Sequence, residues 1–180
     1  MFNKIKYFST LILILIALYV FTALYSFHQI HKGIYYNNKQ LIENYVEWQS
    51  VRKNVKEYIN VEILKKTKSN NNLNDVSDLS ILLSGFAGKF IEIAIDTYLN
   101  SDGIILLIEK FKKKSEMPKP SIITFLGSFI IMENNGFNSF YITYESEGIN
   151  YPIYFVRYGY KWKITHIEFP KNLLDKIKKF

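Results

Sequence analysis

Apolar positions run unbroken at the start of the chain and become periodic afterwards. No charged residue occurs from Phe8 to Phe27, and Leu11 to Leu18 is apolar throughout. Twenty residues of helix cover roughly 30 Å, the hydrocarbon thickness of a bilayer, so this run predicts a transmembrane helix. Helical spacing continues through Ile30 and Ile34 until Asn37-Asn38 breaks it. Lys39 to Tyr45 predicts a second, short helix. From Trp48 to Lys66, the positions Trp48, Val51, Val55, Tyr58, Ile59 and Ile63 recur at three and four, the mark of a helix with one core-facing side. The polar stretch Lys68 to Asp75 predicts a loop. Ser77 to Leu99 carries another apolar stripe, including Leu82, Phe86 and Phe90, with Gly85 and Gly88 costing helix propensity or allowing close packing. Asn100-Ser101-Asp102 restarts a helix through Phe111, and Lys112 to Pro120 reads as a charged linker.

The last third changes period. Phe140, Ile142 and Tyr144 alternate with Tyr141 and Thr143, and Ile153, Phe155 and Arg157 alternate with Tyr154, Val156 and Tyr158. Glu147-Gly148 and Gly159 supply turns, and Lys161 to Phe169 follows as a third strand. These features predict an antiparallel meander of three or four strands. Ser121 to Met132 fits a helix or a fourth strand joined through Asn135-Gly136. Asn172 to Lys179 predicts a short basic helix after Pro170. Helices first and strands afterwards give an α+β class. In the third strand, Trp162 and Ile164 share one parity while Ile167 and Phe169 have the other. A β-bulge near Thr165-His166 is therefore expected. Trp162 is expected to anchor the core against Leu82, Phe86 and Phe90.

Residues 1–27 thus read as a signal anchor and 28–180 as a single domain. A cleaved signal peptide would begin in the same way, with Lys4 and Lys6 before an apolar core. The zone Thr22 to Phe27 has no pair of small residues two apart, and the apolar stretch exceeds the usual signal core. The anchor is therefore expected to stay, with the bilayer contacted through residues 8–27. Lys4 and Lys6 place the N-terminus in the cytoplasm and the domain on the far side, against a weaker pull from Lys32 and Lys39.

Composition adds mainly exclusions. The chain has no cysteine, so disulfides and thiolate chemistry are out. The net charge of +7 suggests a polyanion, but every basic residue except Arg52 and Arg157 is lysine. Bidentate phosphate recognition favours arginine, so no nucleic-acid partner is expected. The charge reads as a solvated lysine surface, with attraction to anionic headgroups as its functional alternative.

Two N-terminal stretches, Ala23-Leu24-Tyr25-Ser26-Phe27-His28-Gln29-Ile30 and Leu41 to Arg52 (LIENYVEWQSVR), stand with the closing Phe155 to Pro170 (FVRYGYKWKITHIEFP). In that order they resemble a bacterial family catalogued as domain of unknown function 2939. The resemblance implies a hydrophobic N-terminal segment and an α+β layout. It implies no activity.

Candidate chemistry is sparse. His28 and His31 share a helix face at i, i+3, a spacing that can hold a metal, but no carboxylate or cysteine completes the set. His166 and Glu168 share a strand face and have the types of a general base and its orienter; a solvated pair has the same pattern. Glu43 and Glu47 stand one turn apart, as helix-surface carboxylates do. No nucleophile elbow or phosphate loop is present. No catalytic, cofactor-binding or metal-ligating set is expected. Tyrosines 141, 144, 151, 154, 158 and 160 crowd the sheet with Trp162, either as a partner-binding face or as cover for the helices.

The reading is a membrane-anchored, non-catalytic module whose extracytoplasmic domain, periplasmic or extracellular at a bacterial cell membrane, binds a partner or ligand. The alternative is an enzyme or small-molecule binder with a cavity between helices and a curved sheet. The order of elements resembles nuclear-transport-factor-like and cystatin-like cones, which host both. Cavity or filled core beneath the sheet is the discriminating feature.

Overall fold

The computed structural model describes residues 2–69, 77–111, 117–146 and 149–170. The expected Glu147-Gly148 turn, the loop at 70–75, the linker at 112–116 and the C-terminal helix at 172–179 lie outside the described residues. Helix α1 (Phe2–Tyr35) is followed by α2 (Lys39–Tyr45), α3 (Trp48–Ser69), α4 (Ser77–Tyr98), α5 (Ser101–Phe111) and α6 (Ile122–Ile131). Strands β1 (Met132–Asn134), β2 (Ser139–Ser146), β3 (Ile149–Tyr158) and β4 (Lys161–Ile167) follow as one antiparallel sheet in the order β1-β2-β3-β4. This is the α+β architecture that the change of period predicts.

The ambiguous segment from Ser121 resolves into both alternatives: a helix, then the short strand β1 paired with β2. Ser121 caps α6, its hydroxyl accepting from Thr124 N at 3.2 Å while Thr124 Oγ1 accepts from Ser121 N at 2.8 Å. That reciprocal box satisfies two backbone donors and fixes the helix start. Asn37-Asn38 divides α1 from α2 by two mechanisms. Asn37 takes a positive φ of 54°, and Asn38 N donates to Gly33 O at 2.8 Å, which closes α1 in a Schellman turn. Asn38 then caps α2 through Leu41 N at 3.1 Å. Gly33 is buried at this corner, where an added Cβ would come within 2.9 Å of Ile42. The close approach of α2 to α1 therefore needs glycine.

The sheet packs its inner face on the second half of α1. Ala23 and Ile30 of α1 form one core cluster with Tyr45 of α2 and with Phe140, Ile142, Phe155 and Trp162 of the sheet. A second cluster joins Ile42 and Val46 to Val51 of α3 and Ile105 of α5. Glu47 N donates to Ile164 O at 2.8 Å, which lays the α2–α3 corner along the β4 edge. The expected bulge is present. Tyr154 pairs with His166 and Phe155 with Ile164, so Thr165 is the extra residue. It lets both Ile164 and Ile167 turn inward from one strand.

Trp162 is 1 % exposed, as a core residue should be, but its expected partners are corrected. It packs on α1 instead of α4. Its ring meets Tyr19 edge-on at 5.3 Å and Phe140 at 5.3 Å. Its indole N–H donates to Thr22 Oγ1 at 3.0 Å, and its backbone N–H donates to the fully buried Ser26 Oγ at 3.0 Å. Phe90 of the expected stripe is 72 % exposed, and the side chains of Leu82 and Phe86 lie outside the described residues. Helix α1 thus has two parts. Every residue from Ile5 to Leu18 is exposed, whereas Tyr19 to Ile34 carries much of the core.

Candidate functional site

A cavity of about 570 Å³ opens between α1, α6 and the sheet. Helix α1 supplies Phe27, Ile30, His31 and Ile34; α6 supplies Thr124, Gly127, Ser128 and Ile131; Ile142 and Ile153 form the floor. It exists because α6 leans on α1 through only a few large contacts. Phe125 meets Phe21 at 5.6 Å and His28 at 5.4 Å, while the positions beside the sheet are Gly127 and Ser128. An added Cβ at Gly127 meets nothing within 4 Å. Small residues there leave the space between α6 and the sheet unfilled.

Three polar groups of the wall are engaged within the protein. Ser128 Oγ donates to Phe125 O at 2.6 Å, and Thr124 Oγ1 donates to Ser121 O at 2.9 Å. His31 Nε2 lies 2.9 Å from Pro118 O. The volume falls in the range of small-molecule pockets, about 300–1,000 Å³, and an apolar wall with spent polar groups favours an apolar occupant. His28 stands beside His31 with ring centroids 6.4 Å apart. Its Nδ1 is buried without a hydrogen-bond partner among the described residues. No cluster of three metal-ligating residues occurs among the described residues.

His166 and Glu168 border a second, shallower cleft of about 280 Å³ with Asn54, Glu57, Tyr58 and Glu62. A histidine and acids in a cleft are the raw material of an enzyme, but their bonds point elsewhere. His166 Nε2 faces the Asn54 amide at 3.4 Å instead of a carboxylate. Glu168 accepts from the Tyr154 hydroxyl at 2.9 Å. Asn54 Oδ1 accepts from Ile167 N at 3.0 Å, so this side chain ties α3 to the bulged end of β4. Asn54, His166 and Tyr58, which donates to Pro170 O at 3.1 Å, thus tie α3 to this end of the sheet.

The outer sheet face carries a row of half-buried aromatics. Tyr141 and Tyr154 lie 5.3 Å apart, and Tyr154 meets His166 at 5.4 Å. Tyr141 donates to Glu133 as Tyr154 does to Glu168. Those carboxylate bonds push both phenol pKa values up, so both phenols stay neutral. Tyr144 and Tyr151 belong instead to the inner parity, and Tyr144 borders the main cavity. Glu47, paired in the sequence reading with Glu43, receives Lys163 Nζ at 3.4 Å. The sequence singled out His31 but not Gly127 or Ser128. A glycine inside an apolar helix was the available signal.

Fold and cavity define a class: an α+β protein in which a long N-terminal helix passes from an exposed apolar half into the core beneath a four-stranded meander. Residues 12–107 match the model of a protein family of unknown function, DUF2939, and the chain belongs to that family. The match takes in both N-terminal motifs, whereas the closing strand pair at Phe155 to Pro170 lies beyond it. No curated relative and no solved structure matches the chain.

Proposed function

We propose that this chain is a membrane-anchored, non-catalytic module that holds an apolar small molecule, such as a single acyl chain, between α1, α6 and the sheet. The first half of α1 is the anchor. A helix of this length and hydropathy is able to cross a bilayer. Lys4 and Lys6 orient it with the N-terminus in the cytoplasm and the domain outside, at a bacterial cell membrane. The observation that carries the ligand reading is the open, apolar cavity of about 570 Å³ where a filled core would otherwise lie. Its wall includes Phe27 and Ile30 of the helix that continues into the anchor, so a ligand leaving the bilayer meets it directly.

A photoreactive fatty acid added to membranes holding the full chain is expected to crosslink to cavity residues such as Ile142 or Ile153. Gly127→Leu fills the cavity at a position with room for a side chain. It should abolish crosslinking and leave stability equal or higher, because leucine exceeds glycine in helix propensity by up to about 1 kcal/mol. Equal crosslinking in both chains, or none at the cavity in the parent chain, would contradict the ligand reading.

A further inference from the structure

Helix α6 buries the wrong side for a helix bathed in water. Its one fully buried residue is Ser128, at 2 % exposure, whereas Ile123 and Ile130 are 83 % and 85 % exposed. The outward stripe Ile122, Leu126, Phe129 and Ile130 follows helical spacing, and the helix carries no charge. An apolar face of this kind marks an interaction surface.

Three observations say what covers it. The first is continuity. Phe125 of α6 packs on Phe21 of α1, and Phe21 itself is still half exposed on the side that runs down into the Ile5–Leu18 stretch. The second is length. The fourteen exposed residues from Ile5 to Leu18 cover only about 21 Å of helix, against a hydrocarbon thickness of about 30 Å. The shortfall is about six residues of helix, which brings lipid to the level of Leu24, where α6 lies alongside. The third is the character of the rim. Where α1 leaves the domain, the Tyr19 hydroxyl donates to Phe137 O, and Arg157 lies 5.2 Å over the Tyr19 ring. Phe137 is 92 % exposed at one hairpin tip and Tyr160 is 74 % exposed at the other, beside Lys161. Exposed aromatics at the hairpin tips suit a bilayer, and Lys161, over the Tyr45 ring and beside Tyr160, stands where anionic headgroups begin.

We infer that the outer face of α6 and the Phe137 turn are seated in the bilayer, so that the domain rests in the outer leaflet instead of standing clear on its anchor. A peptide or a second copy would satisfy the apolar face, but neither would make up the missing length of the anchor. The inference rests on the anchor reading of α1.

The chain has no cysteine, so single cysteines can carry nitroxide labels without background. Full-length Leu13→Cys, Ile123→Cys, Ile130→Cys, Phe137→Cys and Glu57→Cys chains would be reconstituted into phosphatidylcholine–phosphatidylglycerol vesicles. All five positions are solvent-exposed, so labelling leaves the fold intact. Collision rates with oxygen and with a water-soluble nickel complex then report depth. Glu57, at the far end of the sheet, sets the aqueous value, and Leu13 sets the lipid value. The oxygen-to-nickel ratio at 123, 130 and 137 is expected to rise severalfold over that at 57. A lipid value at Leu13 with aqueous values at 123 and 130 overturns the seating and spares the anchor. An aqueous value at Leu13 overturns both. Spin–spin broadening at 123 and 130 that persists on dilution with lipid shows a second copy on that face and also overturns it.

Discussion

Trp162→Ala is expected to destabilise the full-length chain by about 3–5 kcal/mol, the range for truncating a buried aromatic. The site explains a value in that range. The indole is 1 % exposed and wedged between Tyr19 and Phe140, and its N–H is bound by Thr22. Truncation leaves a cavity that the surrounding elements cannot close without moving α1 off the sheet. Loss of the indole frees only one bond of the Thr22 hydroxyl, which still donates to Tyr19 O at 2.7 Å. The cost is therefore mainly packing. Ordinary stability is about 5–15 kcal/mol, so the variant would be close to unfolding. At about 2–4 °C per kcal/mol for a chain of this size, Tm should fall by about 6–20 °C. Circular dichroism melts of the detergent-solubilised chain read this directly. A shift under about 2 °C would place Trp162 outside the stability core and return it to a binding face.

A chain beginning at residue 28 is expected not to fold. Cutting there removes Tyr19, Thr22, Ala23, Ser26 and Phe27 together. Trp162, Phe155 and Phe140, at 1 %, 1 % and 4 % exposure, would face water across the vacated groove. Each such side chain contributes roughly 1.5–3 kcal/mol by burial, so losing three approaches the whole stability of a domain. The Trp162 backbone N–H would also lose Ser26 Oγ as acceptor. Melts of the fragment 28–180 should show no cooperative transition and no fixed aromatic signal in the near ultraviolet. A cooperative transition within a few degrees of the full chain would show that α1 contributes little to the core.

The amino-acid pattern was legible where periodicity or parity conflict carries information. The α3 stripe at Trp48, Val51 and Val55 marks its inner side. The parity clash between Ile164 and Ile167 forces a bulge, and Asn37-Asn38 is read correctly as a break. The second role of α1 was hidden for a physical reason. Leu11 to Leu18 is apolar on all sides, so no periodicity distinguishes a lipid face from a core face. Beyond it, the core side of α1 uses Thr22, Ala23 and Ser26, small or polar residues that let the sheet come close. Their partner, Trp162, is 136 residues away from Ser26 in sequence. No local pattern reports a contact of that range, and the apolar stripe of α4 offers the indole an equally good partner. The cavity was hidden likewise, since it arises from the small residues Gly127 and Ser128 in a helix whose apolar positions point outward.

We propose that one uncleaved helix serves both as membrane anchor and as the floor of the sheet. The most direct test is the intact mass of the protein recovered from carbonate-washed membranes of cells making the full chain. The expected product is a membrane-retained species that keeps residues 2–27, because a folded domain needs Tyr19 to Phe27 beneath Trp162. Recovery of a folded product beginning near residue 26, released into the soluble fraction, would contradict it.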